Sequence, residues 1–342
     1  MKWLRYVLGI LISIALLGYI LYKVDLGILI DEISKINYYW LPLAVLVYLG
    51  GIWVRTTRWA VLMRPVKSYK TAQLYPIYII NYMANNILPF RVGDLYRAYF
   101  IGKKDGISKG ATLVTVVIER IFDGLTMLVF LAVSLWFFPM SNPQIGIVSD
   151  PETSFTVEKA IRIGSYIFLG AILACYVVVL RKSWMVWIFE KLLPLVPIRL
   201  HERLREIFGN FYKGLDSLRG IREIILVILL SLATWLIEAF SYVIILWAFK
   251  FYGSYYVAIS TLAMVNLAII AIPSTGGFGP FESAIIWMTA SFYRSVTNFT
   301  REVATAYALI VHFIGQWIPT TLLGVFYMWK ERLSFKEVQK NV

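Results

Sequence analysis

Three short stretches set ionisable or conformationally permissive residues inside long apolar sequence. Residues 85–97, NNILPFRVGDLYR, carry Arg91, Asp94 and Arg97 around Pro89 and Gly93. A charged side chain at membrane depth costs at least about 2.5 kcal/mol on insertion scales, so such groups face a cavity, a partner or a substrate. Arginine offers a planar fork of donors matched to phosphate oxygens, and a short helix beginning at Gly93 would add backbone N–H groups to the attraction. The competing reading is that Arg91 and Arg97 are interface charges paired with Asp94. Residues 271–282, AIPSTGGFGPFE, form the second stretch. Gly276, Gly277 and Gly279 permit unusual torsions and close approach, while Pro273 and Pro280 forbid one continuous helix. That pattern suits a broken membrane helix whose exposed amides meet an anionic headgroup, or else a plain structural bend. A dinucleotide fingerprint is excluded, because no strand precedes it and Glu282 stands where the third glycine belongs.

The third stretch is Glu119, Arg120 and Asp123. On a helix Glu119 and Asp123 share a face, and Arg120 reaches Asp123 at i, i+3. The triad reads as a pathway or relay, or as a self-neutralising cluster that tethers 91–109. Glu238 and Glu282 are isolated in apolar sequence, where burial favours the protonated carboxyl, so each is a candidate for a coupling proton. His312 is a lone histidine expected to be bonded within a core, and Cys175 reads as a small core residue. No metal-spaced set, cofactor motif or nucleophile elbow occurs.

The elements that must position these residues follow from composition. Of 342 residues 59% are hydrophobic and 15% charged, with a mean hydropathy of +0.71; soluble domains are nearer one quarter charged. This predicts an all-α polytopic membrane protein, since unbroken apolar runs of about 20 residues are helical spans and not barrel strands. One integral membrane domain covers 1–342. Full spans are expected at about 4–22, 38–63, 111–138, 160–180, 223–249 and 303–328. Two broken hairpins, 72–102 and 255–297, complete the fold. The N-terminal run imitates a signal peptide but lacks a small-x-small site, so it is read as a retained span.

The net charge of +13 does not imply nucleic acid, because the basic residues flank apolar runs as topology determinants do. If 72–102 is re-entrant, the basic tracts 55–70, 91–109, 181–222 and 330–340 all lie inside, with both termini cytoplasmic. The 255–297 segment folds back or crosses twice without changing that parity. Two hairpins entering from opposite faces would form an inverted repeat with substrate between them. Residues 181–222 read as an interfacial amphipathic helix or as a basic linker. The loop 139–159 is a solvated connection.

The order of NNILPFRVGDLYR, ERIFD and IPSTGGFGPFE resembles the flippase-like membrane domain of lysylphosphatidylglycerol synthases and its stand-alone relatives, over about residues 4–329. Family motifs read Pro-x-Arg-x-Gly-acid-x-x-Arg; Pro89, Arg91, Gly93, Asp94 and Arg97 fit, with Asp94 where Glu is common. In the second motif Gly276, Gly277, Gly279 and Glu282 fit, with Thr275 where a second proline is usual. The resemblance implies a cell-membrane protein that moves a lipid or lipid-linked anion between leaflets. Its partners would be anionic or phosphate-bearing lipids, with a partner synthase or a second copy as further candidates. Aminoacyl-transferring members carry a soluble domain after the membrane domain, and little chain follows Trp329, so no enzymatic activity is expected. On this reading Arg91, Asp94, Arg97, Gly276, Gly277, Gly279 and Glu282 bind the headgroup, while Glu119, Arg120, Asp123 and Glu238 line or gate its path. A non-transporting scaffold that binds lipid or a partner synthase is the alternative.

Overall fold

Both breaks in the helical run arise from the same local rule. A residue before proline is pushed out of the helical region, and Leu88 (φ −106°, ψ 141°) and Ile272 (φ −119°, ψ 98°) duly end their helices in extended conformation. The computed structural model describes residues 2–88, 91–137, 182–197, 201–202, 204–205, 208–209, 221–272, 274–293 and 298–333.

The described chain is helical. In order come α1 (Lys2–Tyr22), α2 (Leu26–Ser34), α3 (Trp40–Met63), α4 (Thr71–Ile87), α5 (Gly93–Asp105), α6 (Lys109–Phe137) and α7 (Lys182–Leu192). Then follow α8 (Ile221–Ala248), α9 (Tyr255–Ala271), α10 (Pro280–Phe292), α11 (Arg301–Leu309), a π-helical segment (Ile310–Trp317) and α12 (Ile318–Lys330). The order of elements repeats. A long helix, a broken hairpin and another long helix occur as α3, α4–α5, α6 and again as α8, α9–α10 and the run 301–330. Within each hairpin the two arms pack against each other, and α3 lies along α8 between them.

Three helices are long and apolar enough to cross a membrane: Trp40–Met63, Arg222–Ala248 and Arg301–Lys330. A fourth results if Gly9–Tyr22 and Leu26–Ser34, bent by 90°, form one span. The six expected full spans are therefore not all matched among the described residues. Helix α6 has 29 residues, ample for a bilayer, but Glu119, Arg120 and Asp123 interrupt its apolar character. The expected 160–180 span, the 139–159 loop and most of the amphipathic face expected within 181–222 fall outside the described residues.

Apolar packing forms two large cores and a smaller one. The largest joins α2, α8, α9, α10 and α11 around Tyr242, Leu262 and Ile285. The second joins α3, α4 and α5 around Trp59, Tyr78 and Phe100, with α12 against it. A third, around Leu62, Ile118 and Val227, ties α6 to α3 and α8. In lipid, where tails are as apolar as leucine, close approach at small residues replaces the hydrophobic effect as the associating force. Gly324 shows it: a Cβ there would lie 2.4 Å from the Met83 Cβ, so α12 seats on α4 only because that position is bare.

Candidate functional site

Helix α4 ends at Leu88 and α5 begins at Gly93, whose amide donates to Asn85 Oδ1 at 2.8 Å. A Cβ at Gly93 would stand 2.2 Å from the Asn81 carbonyl oxygen, so the turn closes only on glycine. Between the helices Arg91 adopts a left-handed φ of 51°, a conformation that costs a non-glycine residue about 1–2 kcal/mol. Arg91 keeps exposed surface at the residue level, although its charged group is partly desolvated beside Arg120, Asp94 and Asp123, and it makes no ion pair among the described residues.

Behind the turn lies a buried network of charge. Arg97 is wholly buried and lies with its guanidinium 4.4 Å from the Trp59 ring and 4.5 Å from that of Tyr78. Its Nη1 meets Glu119 at 3.0 Å, and Asp94 is 3.8 Å away. Glu119 also contacts Arg58 (3.3 Å) and Arg120 (3.0 Å), and accepts from the Tyr78 hydroxyl. Asp123 pairs with Arg58 at 2.8 Å and with Arg120 at 3.2 Å, and accepts from the Trp235 indole at 3.0 Å. Arg120 further approaches Asp94 at 3.5 Å and is the accessible edge of the set, its side chain 28% exposed. Alongside, Arg55 bridges Glu238 (2.5 Å) and the Tyr82 hydroxyl (2.7 Å) beneath the Trp235 ring. Four arginines (55, 58, 97, 120) thus face four carboxylates (94, 119, 123, 238), and Arg91 is the cation in excess.

Removing one member of such a buried set leaves its partners uncompensated. Even complete, the set leaves both donors and acceptors without a hydrogen bond among the described residues: Arg58 Nε and Nη2, Arg97 Nε and Nη2 and Arg120 Nε on one side, Asp94 Oδ1 and Asp123 Oδ2 on the other. Buried polar groups are normally bonded; here several are held at ion-pair distance instead, Arg97 to Asp94 at 3.8 Å and Arg120 to Asp94 at 3.5 Å.

The second break centres on one carboxyl and one imidazole. Helix α10 opens with Pro280 at its first turn, and its first-turn Glu282 reaches back so that Oε2 accepts from the Gly279 N–H at 2.7 Å. Glu282 Oε1 lies 2.6 Å from His312 Nδ1, and His312 Nε2 lies 3.0 Å from the Gly276 carbonyl oxygen. The imidazole stacks on Phe281 at 4.0 Å. Gly276, Gly277 and Gly279 all have positive φ, of 62°, 81° and 95°. From α1, Ser13 Oγ accepts from the Thr275 N–H at 3.0 Å, and Leu16 lies where a Gly279 Cβ would be.

The two breaks meet. A Cβ on Gly276 would lie 2.6 Å from the Asn86 carbonyl oxygen, and Asn86 Nδ2 donates to Thr320 (2.9 Å) and Thr321 (3.0 Å) on α12.

Measured against the sequence reading, Asp94, Arg97, Glu119, Arg120 and Asp123 converge at one site, with Arg91 at its edge. Gly276, Gly277, Gly279 and Glu282 form a separate one. Two roles shift. Arg97 is enclosed by Trp59, Tyr78 and Glu119 rather than offered to a headgroup, and the Gly279 amide is taken by Glu282 rather than bared. Glu282 and Glu238, isolated in sequence, find His312 and Arg55. Arg55 and Arg58, placed with the cytoplasmic tract 55–70, are instead buried at 4% and 0% exposure. Two arginines at i, i+3 inside an apolar helix were the signal for that. Their partners Tyr78, Tyr82 and Trp235 carried none.

Comparison with known proteins agrees with the architecture. A family model described as the lysylphosphatidylglycerol synthase TM region matches residues 6–324. Among curated proteins, one UPF0104 membrane protein of Methanocaldococcus jannaschii is 29% identical over 208 residues, covering 60% of this chain and 77% of that protein. A second from the same organism is 22% identical over 334 residues, covering 92% and 91%. A UPF0104 membrane protein of Methanothermobacter thermautotrophicus is 25% identical over 326 residues, covering 88% and 86%. No solved structure matches. The chain therefore belongs to the family of the lysylphosphatidylglycerol synthase transmembrane region.

Proposed function

We propose that this protein is a translocator of lipids with phosphate-bearing or otherwise anionic headgroups, and not an enzyme. The observation that carries the reading is Arg91: a residue with exposed surface and without an ion pair among the described residues, held in a left-handed turn beside a network in which Arg55, Arg58, Arg97 and Arg120 are all paired. A headgroup phosphate would dock on Arg91 and the accessible edge of Arg120. Asp94 would tune that charge, and Arg97, Glu119, Arg58 and Asp123 would brace the turn from behind. Glu238 would stay neutralised by Arg55. Gly276, Gly277, Gly279 and Glu282 would supply the movable wall opposite, which contacts Asn86 at the end of α4. The repeated order of elements supports an inverted repeat, in which two broken hairpins meet and one half rocks against the other. The basic tracts favour a cell-membrane orientation with both termini cytoplasmic.

The second reading, a lipid-binding scaffold for a partner synthase or a second copy, is favoured by the sealing of Arg58, Arg97 and Glu119 at 0% exposure, which leaves no open path through the network. Purified protein in liposomes with a fluorescent phosphatidylglycerol separates the two. The translocator reading expects movement between leaflets that falls about tenfold to a hundredfold in Arg91→Ala, the equivalent of one charge-assisted hydrogen bond or two. Binding without movement of any lipid would establish the scaffold.

A further inference from the structure

We propose that His312 and Glu282 form a proton-binding site in the core of the protein, and that the one proton they share latches the 275–279 loop against the α4 break. The inference deepens the translocator reading and, in its functional arm, rests on it.

The hydrogen count follows from geometry. Gly276 offers His312 Nε2 only a carbonyl oxygen, so that nitrogen carries a hydrogen and donates. Glu282 Oε2 accepts from the Gly279 amide, so it carries none. The remaining contact, Nδ1 to Oε1 at 2.6 Å, is short enough to require one hydrogen between the two atoms. Whether that hydrogen sits on nitrogen or on oxygen, the pair is neutral overall. Taking it away sets two lone pairs face to face and leaves one uncompensated negative charge in a buried site, which is costly. Adding another forces a hydrogen onto Oε2, against the Gly279 N–H. The arrangement therefore holds one exchangeable proton and no other number.

Few other polar groups face the pair. Helix α1 presents Ser13 and Leu16, α9 presents Ile269, and the end of α4 presents Asn86. Helix α8 brings Tyr242, to whose hydroxyl Gln316 Nε2 donates at 3.4 Å, and, one turn earlier, Glu238, already neutralised by Arg55. On the segment that carries His312 the neighbours are Phe313, Gln316 and Trp317; on α10 Phe281 stacks on the ring.

The site is placed to act at a distance. His312 lies in the π-helical turn of the run 301–330, an irregularity frequent at functional sites. The shared proton joins that turn to α10 and, through Gly276, to the loop. Gly276 in turn abuts the Asn86 carbonyl, and the Trp317 indole reaches the same oxygen at 3.4 Å. Losing the proton leaves a lone pair of His312 facing either Glu282 Oε1 or the Gly276 oxygen, so it loosens the π-helical turn from α10 or from the loop, while the Gly279 N–H stays on Glu282 Oε2. The wall opposite the first break, where Arg91 stands, loosens in the same step.

Two measurements test this. The chain has two histidines, so His201→Asn leaves one imidazole, readable by nitrogen-15 solid-state NMR of the full-length protein in liposomes. The expected signature is a protonated Nε2 with Nδ1 in a short hydrogen bond, lost in Glu282→Gln, whose amide can bond both neighbours but exchanges no bridging proton. An unprotonated Nε2, or an Nδ1 signal indifferent to Glu282→Gln, overturns the site.

The second measurement is the rate of phosphatidylglycerol movement against pH, equal on both sides. Wild type should accelerate with a limiting slope of about tenfold per pH unit, that of a single-proton step, while Glu282→Gln stays flat and slow. Should Glu282→Gln not fold, His312→Gln, which removes the titrating ring, carries the same expectation. Movement with an equal slope in wild type and variant overturns the proton latch and leaves the translocator standing. Absence of movement in wild type overturns the translocator, and the NMR result then decides the proton site by itself.

Discussion

The two helix breaks use opposite chemistry on a similar backbone plan. Each begins with a residue forced extended by the following proline and ends at a helix start, yet the α4–α5 break is surrounded by nine Arg, Asp and Glu side chains and the α9–α10 break by the single pair of Glu282 and His312. In the first, guanidinium groups are wedged between aromatic rings on α3, α4 and α8 and carboxylates on α5, α6 and α8. The second is held by four hydrogen bonds at a loop of positive-φ glycines, through Ser13, Glu282 and His312. On the proposed translocator reading, the first break recognises charge and the second changes shape.

The largest expected effect breaks the charged side. Glu119→Ala removes the acceptor shared by Arg58, Arg97 and Arg120, which should cost about 3–5 kcal/mol, read as a drop in the thermal midpoint of the purified protein in detergent. A midpoint within error of wild type would mean that the network is not what holds α5 and α6 together. Next is Gly276→Ala, which adds a Cβ 2.6 Å from the Asn86 oxygen at a position with φ of 62°. Strain and overpacking of that kind cost about 1–3 kcal/mol each. Because the loop is the movable side, lipid movement should fall further than the midpoint does; an equal fall in both would make this break as structural as the other. The smallest effect is expected for Lys104→Ala, which cuts an exposed tie between the end of α5 and Glu331 beyond α12. Exposed pairs contribute about 0–1 kcal/mol, so a shift of several degrees would show that the end of the hairpin, not its tip, anchors α5.

Much of this contrast could be read from sequence, and the limits are instructive. Pro89, Gly93, Pro273 and the glycines of 276–279 mark both breaks, because proline and glycine act on their own backbone and need no partner. The triad Glu119, Arg120 and Asp123 was legible for the same reason, its spacing being fixed by one helix turn. What could not be read was pairing at long sequence separation. Glu238 meets Arg55 across 183 positions, and Glu282 meets His312 across 30. No periodicity encodes such contacts; they exist because α3 packs along α8 and the π-helical turn presents its ring to α10. Arg55 and Arg58 were counted with the cytoplasmic basic tract since charge alone does not tell depth. The six expected spans are matched only in part by the clear apolar helices among the described residues, because α6 combines spanning length with interior charge and 160–180 lies outside those residues.

The central claim is a division of labour between two arginines six residues apart: Arg91 meets the ligand and Arg97 supports the turn. Parallel measurement of thermal midpoint and of fluorescent phosphatidylglycerol binding for Arg91→Ala and Arg97→Ala tests it most directly. The account predicts that Arg91→Ala keeps the midpoint within about 0.5 kcal/mol of wild type while binding weakens at least about tenfold, and that Arg97→Ala lowers the midpoint sharply. Binding by Arg91→Ala indistinguishable from wild type would contradict it.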